Sequence, residues 1–144
     1  MLKLGKTKRA IAMAAATLAI AGGATITATG SASAASGGGC RAWFDIPGHD
    51  VRVAPCISAS GSGISGNGYL NGSEHVDDFT VQLMNKNTNQ AVWQWGYGCP
   101  QGPAANCDVA PNFGSYPSGA YYVAVFLDIA GTWYGPVDSP VLYI

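Results

Sequence analysis

Two histidines, eight carboxylates, four cysteines and a set of four Trp, seven Tyr and four Phe are the residues of this 144-residue chain that could do chemistry. Acid–base or nucleophilic catalysis needs a base held within hydrogen-bond reach of its partner. His49 lies in Pro47-Gly48-His49, a turn signal, and His75 lies in Gly72-Ser-Glu-His-Val-Asp-Asp78 between two strand candidates. Serines are plentiful, but no Gly-x-Ser-x-Gly elbow in a strand–turn–helix setting is present. Glu74, Asp77 and Asp78 offer oxygen ligands to calcium, yet the spacing of a calcium-binding loop is missing and adjacent loop acids are ordinarily solvated. No catalytic residue, metal ligand or cofactor is therefore expected.

The cysteines read as structural. Zinc sites favour Cys-x-x-Cys pairs, and Cys40, Cys56, Cys99 and Cys107 contain none. Residues 40–46 and 50–56 flank Pro47-Gly48-His49 as the two arms of a hairpin. A register centred on Gly48 puts Cys40 opposite Cys56, close enough for a disulfide. Cys99 and Cys107 bracket a short Pro- and Gly-containing loop and would staple it shut. Two disulfides in a chain of this size imply an oxidising compartment.

The amino terminus points the same way. Lys3, Lys6, Lys8 and Arg9 precede an uncharged run rich in Ala, Gly and Thr, and Ala32-Ser33-Ala34 has the small-x-small form of a cleavage site. Residues 1–34 are thus expected to be a secretory signal peptide rather than a retained span, followed by a flexible Gly/Ser-rich stretch at 35–39 and a domain at 40–144. Four of the seven basic residues leave with the leader, so the remainder carries three bases and eight acids, three minus eight or −5. Three scattered cations supply no footprint for nucleic acid or an anionic membrane. The expected product is a secreted, extracellular protein with no membrane contact after cleavage.

The elements that must position these groups are strands. Apolar residues alternate, or are interrupted by Gly and Pro, along the whole of 40–144. Ile64, Gly66, Gly68 and Leu70 share one face of a strand, and Phe79, Val81 and Leu83 should be buried by the next. Trp93, Trp95 and Tyr97 share a face, and the glycines of residues 64–71 would make room for those tryptophans if they are core. Residues 121–129 form the longest apolar segment, and 139–144 a closing strand. With Tyr121, Val123, Val125 and Leu127 inward, Tyr122 and Phe126 point outward near Trp133 and Tyr134, and these four form a candidate aromatic ligand-binding platform.

Ile64-Ser-Gly-Asn-Gly-Tyr-Leu, Phe79-Thr-Val-Gln-Leu, Pro117-Ser-Gly-Ala-Tyr-Tyr-Val-Ala-Val and Ser139-Pro-Val-Leu resemble strands B, C, F and G of bacterial immunoglobulin-like and fibronectin-like domains. The unit Gly119-x-Tyr121-x-Val123-x-Val125 is the most specific part. The resemblance implies a single immunoglobulin-like antiparallel β-sandwich of about seven or eight strands, with the Cys40 hairpin and the Cys99 loop as departures from it. The whole chain is also similar to small secreted actinobacterial proteins of unknown function, a resemblance that implies a location and no activity. Two functions fit: a non-catalytic module binding an extracellular glycan or protein, or a small inhibitor of an extracellular hydrolase that presents the Cys99 to Cys107 loop. Intact mass of protein from culture medium is expected to show a chain starting within a few residues of Ala35; a membrane-bound product retaining Lys3 to Arg9 would refute the export reading.

Overall fold

The computed structural model describes residues 36–61 and 63–144, and the leader lies outside them. The described chain is all-β. Its strands are β1 (Ser36–Gly37), β2 (Gly39–Cys40), β3 (Phe44–Asp45), β4 (Val51–Ser60), β5 (Gly63–Gly72), β6 (Asp78–Asn85), β7 (Gln90–Gly98), β8 (Asn112–Ser115), β9 (Ala120–Ile129), β10 (Thr132–Asp138) and β11 (Leu142–Tyr143). Seven of these have four residues or more, the number expected of the sandwich. The first sheet runs β1-β11-β9-β6-β7 with β10 beside β9, and the second runs β2-β4-β5-β8 with β3 beside β4; every pairing is antiparallel.

Alternation produces the core. Phe79, Val81 and Leu83 on β6 and Val123, Val125 and Leu127 on β9 are completely buried, facing Val53 and Ile57 of β4 and Ile64 and Leu70 of β5. The expected partners of the β5 glycines are different from those found. A Cβ on Gly68 would overlap the Phe79 ring, and one on Gly66 would come within 2.6 Å of Phe113 and 2.8 Å of Val123. Trp93 and Trp95 sit on β7, an edge strand of the other sheet, and neither is among the side chains nearest Gly66 or Gly68. The missing side chains on β5 therefore admit the phenyl rings of β6 and β8.

Both predicted disulfides form, Cys40 to Cys56 and Cys99 to Cys107. The hairpin register is less regular than a turn centred on Gly48 implies. Phe44 pairs with Val53 and Asp45 with Arg52, one step off the Cys40 to Cys56 pair, so the first arm carries one extra residue between β2 and β3. Within the Gly/Ser stretch at 35–39, Ser36–Gly37 and Gly39 lie in the short strands β1 and β2, and Ala35 lies outside the described residues. Positive φ angles at Gly37, Gly38 and Gly39 let the chain leave β11 of one sheet and join β4 of the other within three residues. The strand expected at 139–144 is broken: Pro140 cannot donate, and the Ser139 hydroxyl accepts from Val123 N at 2.9 Å where a ladder bond would be. β8 escaped the sequence pattern because it is four residues long and contains Gly114 at φ +87.

Gly68→Ala is expected to lower stability by about 3 kcal/mol, since the methyl would displace a fully packed ring. Adding Phe79→Leu should recover part of that loss in a denaturant double-mutant cycle. Purely additive losses would show that the ring and the glycine are not coupled.

Candidate functional site

Four connections meet at one end of the sandwich: the β3–β4 turn at 46–50, the β5–β6 loop at 73–77, the β7–β8 loop at 99–111 and the β9–β10 turn at 130–131. The 73–77 loop bonds to all the others. Glu74 O accepts from Ala104 N at 2.9 Å, Asp77 O accepts from Cys99 N at 3.0 Å, and the Asp77 carboxylate accepts from Ala130 N at 2.8 Å. Its other contacts run to the 46–50 turn.

There Glu74 Oε1 lies 2.8 Å from His49 Nδ1, and His49 Nε2 lies 2.7 Å from the Tyr134 hydroxyl. A carboxylate only accepts, so in the neutral ring Nδ1 carries the hydrogen and Nε2 receives the phenol hydrogen. The second Glu74 oxygen accepts from Asp50 N at 3.1 Å. Asp50 reciprocates, its carboxylate accepting from Ser73 N at 3.0 Å and from the Ser73 hydroxyl. His75 is also engaged: Nδ1 is 3.1 Å from Gly102 O, and Nε2 faces Asp77 at 3.5 Å. Sequence reading placed both histidines in turns and missed that one of them joins three elements. The partners lie 25 and 85 residues away, so no local motif announces them.

Beside this network opens a cleft of about 590 Å³ lined by Asp45, His49, Asp50, Arg52, Asn71 and Ser73, with Pro103 at one wall. Asp45 and Arg52 pair across β3 and β4, and Arg52 pairs with Asn71 on β5, so all three rise from the outer face of the second sheet. The Arg52 guanidinium lies over the Trp43 ring at 5.2 Å, and Trp43 remains 45% exposed. Farther along the same face, Tyr69 stands opposite Ala54 and accepts from the Asn67 amide at 2.6 Å. On the same face of the sheet as the cleft residues thus lie the Asn67 amide, the Tyr69 hydroxyl and ring, and the Trp43 ring beside Arg52.

The aromatic set expected as a platform is not assembled in one place. Tyr122 points outward from β9 but is buried at 9%, its hydroxyl donating to Asn89 and Lys86 lying over its ring. Phe126 is half-buried, and Trp133, opposite Asp128, is exposed on that same outer face. Tyr134 stands opposite the inward Leu127 and packs against the core and His49. Glu74 and Asp77 likewise go to separate partners, and among the described residues no three potential ligands, Asp78 included, form a metal group.

Two carboxyls are perturbed in opposite senses. The Ser73 hydroxyl and backbone N–H, helped by the Arg52 charge, hold Asp50 below the ordinary 3.8. Burial raises Asp138 above its ordinary value against the pull of Arg41 and Lys86, and its Oδ1 has no hydrogen-bond partner. No family model, curated protein or solved structure matches the chain. Geometry alone therefore defines the class, a disulfide-bonded two-sheet sandwich with a polar cleft and an aromatic outer face.

Because the Asp50 pKa is lowered by folding, its contribution to stability is complete above the unfolded value near 3.8 and is lost as pH falls through the folded value. Ser73→Ala removes the largest cause of that shift. It should move the Asp50 carboxyl upward in an NMR titration and move acid unfolding to higher pH. An unchanged Asp50 titration would contradict the assigned contact.

Proposed function

We propose that the protein is an exported, non-catalytic binding module whose ligand is an extracellular glycan. The observation that carries this reading is the exposed Trp43 ring at the lip of the cleft, backed by Arg52 and continuous with Asn71, Asn67 and Tyr69. A sugar ring presents an apolar face that stacks on an indole and a rim of hydroxyls that pair with amide, carboxylate and guanidinium groups. Asp45, Asp50 and Arg52 supply both signs of charge within one cleft, as a ligand with many hydroxyls requires. The disulfides and the absence, among the described residues, of a helix able to cross a membrane are consistent with an extracellular location.

The geometry gives catalysis less support. A glycoside hydrolase needs one carboxyl held protonated as a general acid. Asp50 is shifted the opposite way, and Glu74 is committed to His49 and the Asp50 amide. The His49 ring spends its second nitrogen on Tyr134, a residue packed against the core rather than lining the cleft. The inhibitor alternative requires a presented loop. Gln101, Pro103, Ala105 and Asn106 are exposed, while Ala104 and Cys107 are buried and Ala104 N and Val109 N bond back to Glu74 and Gly68.

The immunoglobulin-like reading also has support here. Strands β4-β5-β8 oppose β7-β6-β9-β10, with connections crossing between sheets after β5, β7 and β8. Tyr121, near the start of β9, donates to Pro117 O four residues upstream at 3.0 Å, the geometry of the tyrosine corner of such sandwiches.

Co-sedimentation with cellulose, chitin and peptidoglycan tests the proposal. Retention on at least one of these is expected, and Trp43→Ala or Arg52→Ala should weaken it by about tenfold, or roughly 1.4 kcal/mol. Trp133→Ala should bind as the parent does. No retention on any polymer, or full retention by Trp43→Ala, would overturn the assignment to this face.

A further inference from the structure

We infer that Asn71-Gly72 is a site of self-modification, where the Gly72 backbone nitrogen attacks the Asn71 side chain and turns its amide into a carboxylate. The nitrogen gives up its proton to water, and its electron pair forms a bond to Asn71 Cγ. The Cγ–Nδ2 bond breaks, Nδ2 takes a proton from water and leaves as ammonia, and a cyclic imide remains. Water then opens that ring. Cleavage at Cγ leaves an aspartate at 71, and cleavage at the main-chain carbonyl leaves its isomer, with the chain running through Cγ. The sum is amide plus water giving acid plus ammonia, with no other reagent.

The attack needs an unhindered nitrogen, and glycine follows asparagine at 67–68 and at 71–72 alone. The fold treats these two steps differently. Gly68 N donates to Val109 O at 2.7 Å, and the Asn67 amide donates to the Tyr69 hydroxyl at 2.6 Å. Asn67 also stands opposite Cys56, which the disulfide ties to Cys40. None of these restraints acts at 71. Gly66, Gly68 and Leu70 direct their N–H groups away from β4, to Pro111, Val109 and Asp108, and alternation sends the Gly72 N–H the same way. Among the described residues nothing accepts from it, and nothing holds the exposed Asn71 amide.

Position in the strand completes the contrast. The nitrogen reaches Cγ only when the Asn71 backbone turns out of its extended form, which opens the Arg52 to Asn71 pair. By the same alternation that pair is the last hydrogen-bonded one of β4 and β5, since Val51 and Gly72 close the ladder without bonds to each other. Strand ends open at the least cost. Asn67 lies in mid-ladder, with β4 on one side and residues 109–111 bonded to its neighbours on the other. Conversion also changes the cleft, which Asn71 lines. A carboxylate at 71 stands directly opposite Arg52 and draws the guanidinium off the Trp43 ring, because opposite charges pair across strands. Under the proposed glycan function, on which this consequence alone rests, retention then falls as the protein ages.

Peptide mapping by mass, at intervals on folded protein held in mildly alkaline buffer at physiological temperature, tests this. Asn71 is expected to convert about tenfold faster than Asn67, the effect of the two hydrogen bonds that only the latter step keeps. Isoaspartate should be among the products, with ammonia released. In denaturant, with the disulfides reduced, the two steps should convert at similar rates. Asn71→Gln should abolish conversion at 71, and Asn71→Asp should copy the aged protein in glycan co-sedimentation. An unchanged Asn71 in the folded protein, or equal rates at 67 and 71 there, would overturn the inference. If fresh protein binds no glycan, the mapped conversion still stands and only its consequence for binding falls.

Discussion

The Phe79 ring occupies the space that a side chain on Gly68 would fill, and the two sheets are held together around that contact. β5 and β6 lie in different sheets, so the distance between them sets how the sandwich closes. It also sets the span of the 73–77 loop that joins them. That loop is the hub of the candidate site, since it bonds to the 46–50 turn, the disulfide-closed loop and the β9–β10 turn. Packing deep in the core thus bears on how the loop that carries Glu74 is held at the surface.

The polar end follows a different logic from the core. Buried backbone groups must be satisfied, and turns have few ladder partners to offer. Here the carboxylates of Asp50, Glu74 and Asp77 each accept from a backbone amide in a separate segment. They therefore fasten three of the four connections together, the 99–111 loop being tied on by the Ala104 and Cys99 amides, and the cleft beside them is preorganised. Preorganisation favours binding because little ordering remains to be done when a ligand arrives.

Sequence reading reached the fold wherever one strand explains itself. Alternation identified the buried rows of β5, β6 and β9, and hairpin symmetry identified the Cys40 to Cys56 pair despite an extra residue in the first arm. It failed where position in the sheet decides the outcome. Trp95 has the face of a core residue and the exposure of a surface one, because β7 is an edge strand. Nothing in residues 90–98 states that β7 is an edge.

For Trp133 and Tyr134 the missing signal was present. Ala130 and Gly131 both have positive φ, so they form a two-residue turn of the mirror-image type, and such a turn fixes register. Counting outward from it, Trp133 pairs with Asp128 and Tyr134 with Leu127. Leu127 was already assigned inward, so the parity of the hairpin requires Tyr134 inward and Trp133 outward. Adjacent aromatics on a strand cannot form one platform, because each step reverses the face. The surface that does collect aromatic and polar groups draws instead on Trp43, Tyr69, Asn67 and Asn71, residues from different strands that only the β4–β5 register brings together.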